Sequence, residues 1–331
     1  MNEPGFPLAF PPRPGYPMTF GEIFDRLLKL MRAHFRLLVG IATAPAAAIF
    51  LLYALAIGAM LLAGGLGHGA KTPDPKAMVW VVFPLMLLGW LPLVVIMALC
   101  EAASSYAATR ADLGCIVTVR EAYGAAWERA GRYVWLMILR WLSVALPMVV
   151  GGVVVAIALL MVQRGSASDN PVAAFFLFPL IAVVYIGGLG WGIFMLLRLS
   201  LAYPACVCED LTAMAALDRS AQLTRGAKGR IFLVALIVYA LTYLLEILLF
   251  VVLAALFGVG ALIFLALHVD AASPLGVTGI GFMALLALVG MFFLFAVVSA
   301  TYSAAFALAY HDQKLRIDGP PPAALLDAEP E

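Results

Sequence analysis

Two ionisable side chains, Glu246 and Arg140, fall inside stretches that are otherwise apolar. Glu246 lies fifteen residues into a run that opens at Ile231, roughly 22 Å along a helix. A carboxyl group at that depth in hydrocarbon is costly and marks a functional position by default. Its two readings are a structural hydrogen bond and a proton or substrate relay. In the second, Ser299, Thr301, Tyr302 and Ser303 of the last apolar run supply a polar path. Arg140 lies six residues into its run, ~9 Å deep, where its methylene stem lets the guanidinium snorkel to the headgroups. A Glu246–Arg140 pair has to bridge depths differing by about 13 Å. Glu101 and Arg198 stand at the ends of apolar runs and read as interfacial.

Other chemistry is thinly represented. Cys206-x-Cys208, followed by Glu209 and Asp210, has the donor types of a metal site. It lacks the second cysteine pair or histidine cluster that closes a structural zinc site, so it reads as the end of a helix. His34, His68, His268 and His311 are dispersed. The chain has no HExxH, Walker A, G-x-S-x-G or dinucleotide signature, each of which needs fixed residue types at fixed spacing. No enzyme activity, cofactor or metal is expected. The net charge of +1 provides no basic footprint for nucleic acid.

The elements that carry these residues follow from composition. Only 12% of the 331 residues are charged and 65% are hydrophobic, against about 25% charged in soluble domains. The apolar excess falls in six runs, near Leu37–Ala63, Met78–Cys100, Val134–Val162, Val172–Leu197, Ile231–Leu267 and Gly279–Tyr310. Each exceeds the roughly 20 residues that cross ~30 Å of hydrocarbon. In lipid the backbone must satisfy its own hydrogen bonds, so each run is predicted as a helix. Pro45, Pro84, Pro92, Pro147 and Pro179 permit kinks, and the fifth run can bend near Gly258 and Gly260. Gly188-x-x-x-Gly192 and Ser299-x-x-x-Ser303-x-x-x-Ala307 allow close helix approach, within one chain or between two.

Basic residues set the orientation. Sixteen of the twenty Lys and Arg residues flank the runs on one side, and only Lys71, Lys76 and Arg164 lie on the other. By the positive-inside rule both termini face the cytoplasm, in a cytoplasmic (inner) membrane. The four cysteines then face a reducing compartment, where structural disulfides are not expected. The first 18 residues are Pro-rich and carry no continuous apolar segment of the signal-peptide kind. They read as a disordered arm, and residues 317–331 as a disordered acidic tail.

Three segments preceding the odd-numbered runs are alike. Thr19–Arg36 puts Phe20, Ile23, Phe24, Leu27, Met31 and Phe35 on one helical face and its charged residues on the other. Thr118–Tyr133 is the second and Thr212–Arg230 the third. Thr19-x-x-Glu22 and Thr118-x-x-Glu121 are capping boxes, whereas the third segment has Ala215 in place of Glu. The runs that follow open at Leu37, Val134 and Ile231, each 97 residues apart. The expected fold is an all-α integral membrane protein with six transmembrane helices and three cytoplasmic interfacial amphipathic helices. Residues 19–316 then form a threefold repeat of interfacial helix, span, span over about 19–110, 118–208 and 212–316. Arg26, Lys29, Arg32, Arg36, Arg129, Arg132, Arg225, Lys228 and Arg230 are the candidate lipid-facing basic residues, each contributing about 1 kcal/mol at an anionic surface.

Tyr16–Pro45 resembles a broad group of bacterial multi-pass membrane proteins that includes the membrane domain fused to some glycerophosphodiester phosphodiesterases. Thr19, Gly21, Glu22, Ile23, Asp25, Phe35 and Arg36 match its opening amphipathic helix and basic turn. Ala309-Tyr310-His311-Asp312 resembles its last helix. No phosphodiesterase domain accompanies the match, so the resemblance implies fold and location rather than hydrolysis. The expected role is a non-enzymatic scaffold that engages anionic lipid, a protein partner or a second copy. The alternative is a small transporter or channel-like protein using Glu246.

Overall fold

In the computed structural model the described residues are 16–65, 75–164, 171–268 and 273–319. Among them every regular element is a helix and none is a strand. In chain order they are α1 (Phe20–Ala33), α2 (Phe35–Gly65), α3 (Pro75–Asp112), α4 (Val119–Trp127), α5 (Ala130–Arg164), α6 (Pro171–Arg198), α7 (Ala202–Cys208), α8 (Ala213–Leu223), α9 (Lys228–Ala266) and α10 (Pro274–Asp318). Six of these, α2, α3, α5, α6, α9 and α10, are long and apolar enough to cross a membrane. The chain is a multi-pass, all-helical membrane protein.

Sequence chemistry accounts for the helix boundaries. Thr19 and Thr118 cap α1 and α4, and Glu22 and Glu121 reach back to the cap N–H groups, at 2.5 Å for Glu22. Thr212 caps α8 by accepting from the Ala215 N–H, and Ala215 has no side chain with which to reciprocate. α10 opens on Ser273 with Pro274 at its first position, where the missing N–H costs nothing. The five prolines predicted inside spans all lie within continuous helices. α9 also runs unbroken across Gly258 and Gly260. The break that sequence reading missed lies between Arg198, where α6 ends, and Ala202, where the short α7 begins, with Tyr203 and Pro204 buried.

The core sits at one end of the bundle. An alanine face of α3 (Ala98, Ala102, Ala103, Ala107 and Ala111) meets one of α10 (Ala296, Ala300, Ala304 and Ala307). Side chains this small let the backbones close on each other. α2 packs on both, α3 also packs on α5 and α7, and α1 lies along α10. This is the basic end, carrying α1, α4, α7 and α8. Toward the opposite end the spans pair as hairpins, α2 with α3, α5 with α6 and α9 with α10. Gly188 is consumed within the α5–α6 hairpin, because a Cβ there falls 2.9 Å from the Met148 side chain. That glycine serves intrachain packing.

The boundaries assigned to the termini need correcting. Met18, placed in the N-terminal arm, is buried, and its N–H donates to Asp312 at 2.8 Å. α10 continues through Asp318, so the C-terminal segment does not begin at 317. Residues 1–15 and 320–331 lie outside the described residues, as do Lys71 and most of the three loops opposite the basic end.

Candidate functional site

The basic end holds a network of ions that ranges from fully buried to exposed. Each carboxylate that closes the second of a pair of spans is bound by arginine from a segment leading into the first. Arg26 of α1 donates to Asp112 at the end of α3, 2.5 Å through Nε, and to its carbonyl at 3.1 Å. Arg129 and Arg132 pair with Asp210, just beyond α7. Arg230, at the start of α9, pairs with Asp312 of α10 at 3.1 Å, and Arg316 joins it at 3.0 Å. Asp312 is completely buried, and the Met18 carbonyl accepts from Arg230 and Arg316. The chain entering α1 is thereby fastened to α9 and α10.

Glu209 forms a second knot. It accepts from Arg219 at 3.0 Å and the Tyr310 hydroxyl at 2.7 Å, and pairs with Lys314 at 3.0 Å. Arg219 also pairs with Asp318. Burial by itself raises the Glu209 pKa, but the hydrogen bonds from Tyr310, Arg219 and Lys314 outweigh it and hold the carboxyl below its ordinary value. The hydrogen bond from Arg132 chiefly does the same for exposed Asp210. A group depressed on folding contributes stability above its unfolded pKa and loses it as pH falls through the folded value. The packing of α8 on α7 and α10 is therefore expected to loosen below about pH 4 and to hold at neutral pH. Hydrogen exchange of the α8 amides checks this; protection that rises with acid would contradict it.

Within the span region, Arg140 of α5 pairs with Glu101 of α3 at 2.8 Å. Its guanidinium carbon lies 6.0 Å from the centre of the Tyr203 ring. Arg140 thus turns inward to a neighbouring helix, and Glu101, read as interfacial, is its partner in place of Glu246. Glu246 projects from an exposed face of α9 and makes no ion pair among the described residues. Thr301 faces a cavity nearer the basic end.

The predicted lipid-facing set divides in two. Arg26 is buried against Asp112, and Arg129, Arg132 and Arg230 are turned onto protein carboxylates. Facing lipid is wrong for Arg26, because a guanidinium enclosed among helices needs a protein counter-ion. Lys29 pairs with Asp25 on the surface, and Lys228 lies 4.3 Å from the centre of the Phe194 ring. Arg32, Arg36 and Arg225 are exposed. Sequence reasoning passed over Asp112 and gave Asp210 and Asp312 other roles. Their signal was regular placement, with 98 residues between the first two and 102 between the second and third.

Arg32 stands over a cavity of about 340 Å³. Leu27, Leu28 and Met31 of α1, Phe35 of α2, Leu241 of α9 and Thr301 of α10 line the rest. The volume lies within the range of small-molecule sites, about 300–1,000 Å³. An apolar cleft, open on its outer side, with one guanidinium at its wall can hold an aliphatic chain and fix an anionic group beside it. Cys206 and Cys208 do not complete a metal centre: Cys206 faces the Leu211 carbonyl and Cys208 lies near Thr109. Among the described residues no group of three or more His, Cys, Asp or Glu side chains is placed to hold a metal ion. No family model, curated protein or solved structure matches this chain.

Proposed function

We propose that this chain is a non-enzymatic protein of a bacterial cytoplasmic membrane that binds an anionic lipid at its basic end. The observation that carries this reading is the apolar cavity with exposed Arg32 at its wall. α1 supplies four of the seven lining residues from a helix whose Ile23, Leu27 and Leu30 are buried. It acts as an interfacial amphipathic helix, with the termini inside the cell as the sixteen flanking basic residues require.

The threefold repeat belongs to this reading. Thr19, Thr118 and Thr212 each cap a short helix ahead of a span pair. Asp112, Asp210 and Asp312 each receive arginine at the close of one. Three unrelated juxtamembrane helices have no reason to repeat both features. Kinship with the membrane domain of glycerophosphodiester phosphodiesterases rests on the residues around Thr19 and Asp312, and the roles they take as helix cap and buried counter-ion are compatible with it.

The test is lipid retention by the full chain in nanodiscs of phosphatidylcholine with a minor fraction of phosphatidylglycerol, read by native mass spectrometry. Wild type is expected to retain phosphatidylglycerol preferentially. Arg32→Gln should reduce that preference about fivefold, the equivalent of about 1 kcal/mol for one basic residue at the headgroups. Thr301→Trp, which puts an indole into the cleft, should reduce retention of both lipids. Equal retention by all three proteins would remove the reading.

A further inference from the structure

Two guanidinium groups lie on one carboxylate at the start of α9. Arg230 meets Asp312 at 3.1 Å, and Arg316 meets the same Oδ2 at 3.0 Å. Both also donate to the Met18 carbonyl, so the two groups lie side by side. The other carboxylate oxygen accepts from the Met18 N–H. Asp312 neutralises one arginine and leaves the second in excess. Both side chains remain accessible, 25% exposed for Arg230 and 35% for Arg316. The protein also supplies them too few acceptors. A guanidinium carries five N–H donors. None of the contacts with Asp312 or Met18 uses Nη1 of either arginine, and the enclosed Arg230 Nε has no hydrogen-bond partner among the described residues. Glu22, the carboxylate nearest to Met18 along the chain, is turned onto the Thr19 N–H.

We propose that Arg230 and Arg316 form a binding site for a phosphoryl oxyanion, which supplies the negative charge that Asp312 alone does not. Asp312 and the Met18 carbonyl hold one edge of each guanidinium in place, leaving the Nη1 groups to a ligand. Adjacent guanidinium forks match the several oxygens of a phosphoryl group, and groups already held in place lose little freedom on binding. Position favours the same chemistry. The pair stands at the basic end, where α9 enters its apolar run. One turn further on, Val234 begins an apolar groove with Phe20 and Ile23 of α1. The phosphoryl group therefore has two sources, a lipid headgroup whose chain follows that groove and free phosphate from the aqueous phase. This site shares no residue with the Arg32 cleft and stands or falls apart from it.

The full chain in a maltoside detergent is melted over a range of inorganic phosphate concentrations, against chloride at matched ionic strength. Phosphate at saturation should raise the wild-type midpoint by about 2 °C or more, and chloride should not. Arg316→Gln should need about tenfold more phosphate for the same rise, the effect of losing one charge-assisted contact. Arg316→Lys keeps the charge on Asp312 but not the fork, so it should fall between the two; it carries the test if the Gln variant fails to fold. Arg120→Gln, at an exposed site on α4, should respond as wild type does. In a second arm, phosphatidic acid is compared with diacylglycerol of the same chains in the same micelles. A rise with phosphatidic acid that Arg316→Gln weakens assigns the headgroup as the source, and a rise with inorganic phosphate alone assigns the soluble anion. No rise from either, an equal rise in Arg316→Gln, or an equal loss in Arg120→Gln would each overturn the proposal.

Discussion

Replacing Asp312 with alanine is expected to destabilise the protein by about 3–5 kcal/mol, as removal of one partner from a buried ion pair does elsewhere. The side chain is completely buried and holds Arg230, Arg316 and the Met18 N–H together. Alanine strands two guanidinium groups in a space built around one carboxylate, and it frees the chain entering α1. Asp312→Asn keeps the shape and an acceptor oxygen, so it should cost less. Thermal unfolding in detergent measures both variants. An Asp312→Ala protein that melts with the wild type would mean that solvent or lipid headgroups already satisfy the arginines.

The second large effect belongs to Arg140. Arg140→Met leaves the Glu101 carboxylate without its counter-ion beside the membrane core, again at about 3–5 kcal/mol. Pairing Arg140→Met with Glu101→Leu should recover most of the loss, since apolar side chains of similar volume replace buried ion pairs at little cost. Arg140→Met combined with Glu246→Gln should be additive, because residues that share no contact do not couple. A double-mutant cycle that found coupling between Arg140 and Glu246 instead would place the ion pair wrongly.

Both effects have one cause: helix packing has enclosed these charges in a protein interior. Arginines that flank spans bring two functions into competition, contact with headgroups and pairing with carboxylates. A carboxylate wins when packing has already removed both groups from water, since a buried guanidinium left alone is costly. Arg26 and Arg230 meet that condition. Arg32 and Arg36 stay exposed, and Arg32 lines a cavity that can take a lipid chain.

Amino-acid order alone determined the six spans, the capping of α1, α4 and α8 by Thr19, Thr118 and Thr212, and the clustering of charge at one end. Those are local properties: a run of apolar residues longer than a bilayer is thick must hydrogen-bond to itself, and a cap acts within four residues. Tertiary structure decided which charges meet. Arg26 and Asp112 are 86 residues apart and Met18 and Asp312 are 294 apart, so no spacing rule joins them. It likewise decided that Arg140 turns to Glu101 while Glu246 faces outward, because the side of a uniformly apolar helix that packs is set by its neighbours. α9 is apolar around its whole circumference, and periodicity could not tell its bundle side from its outer side.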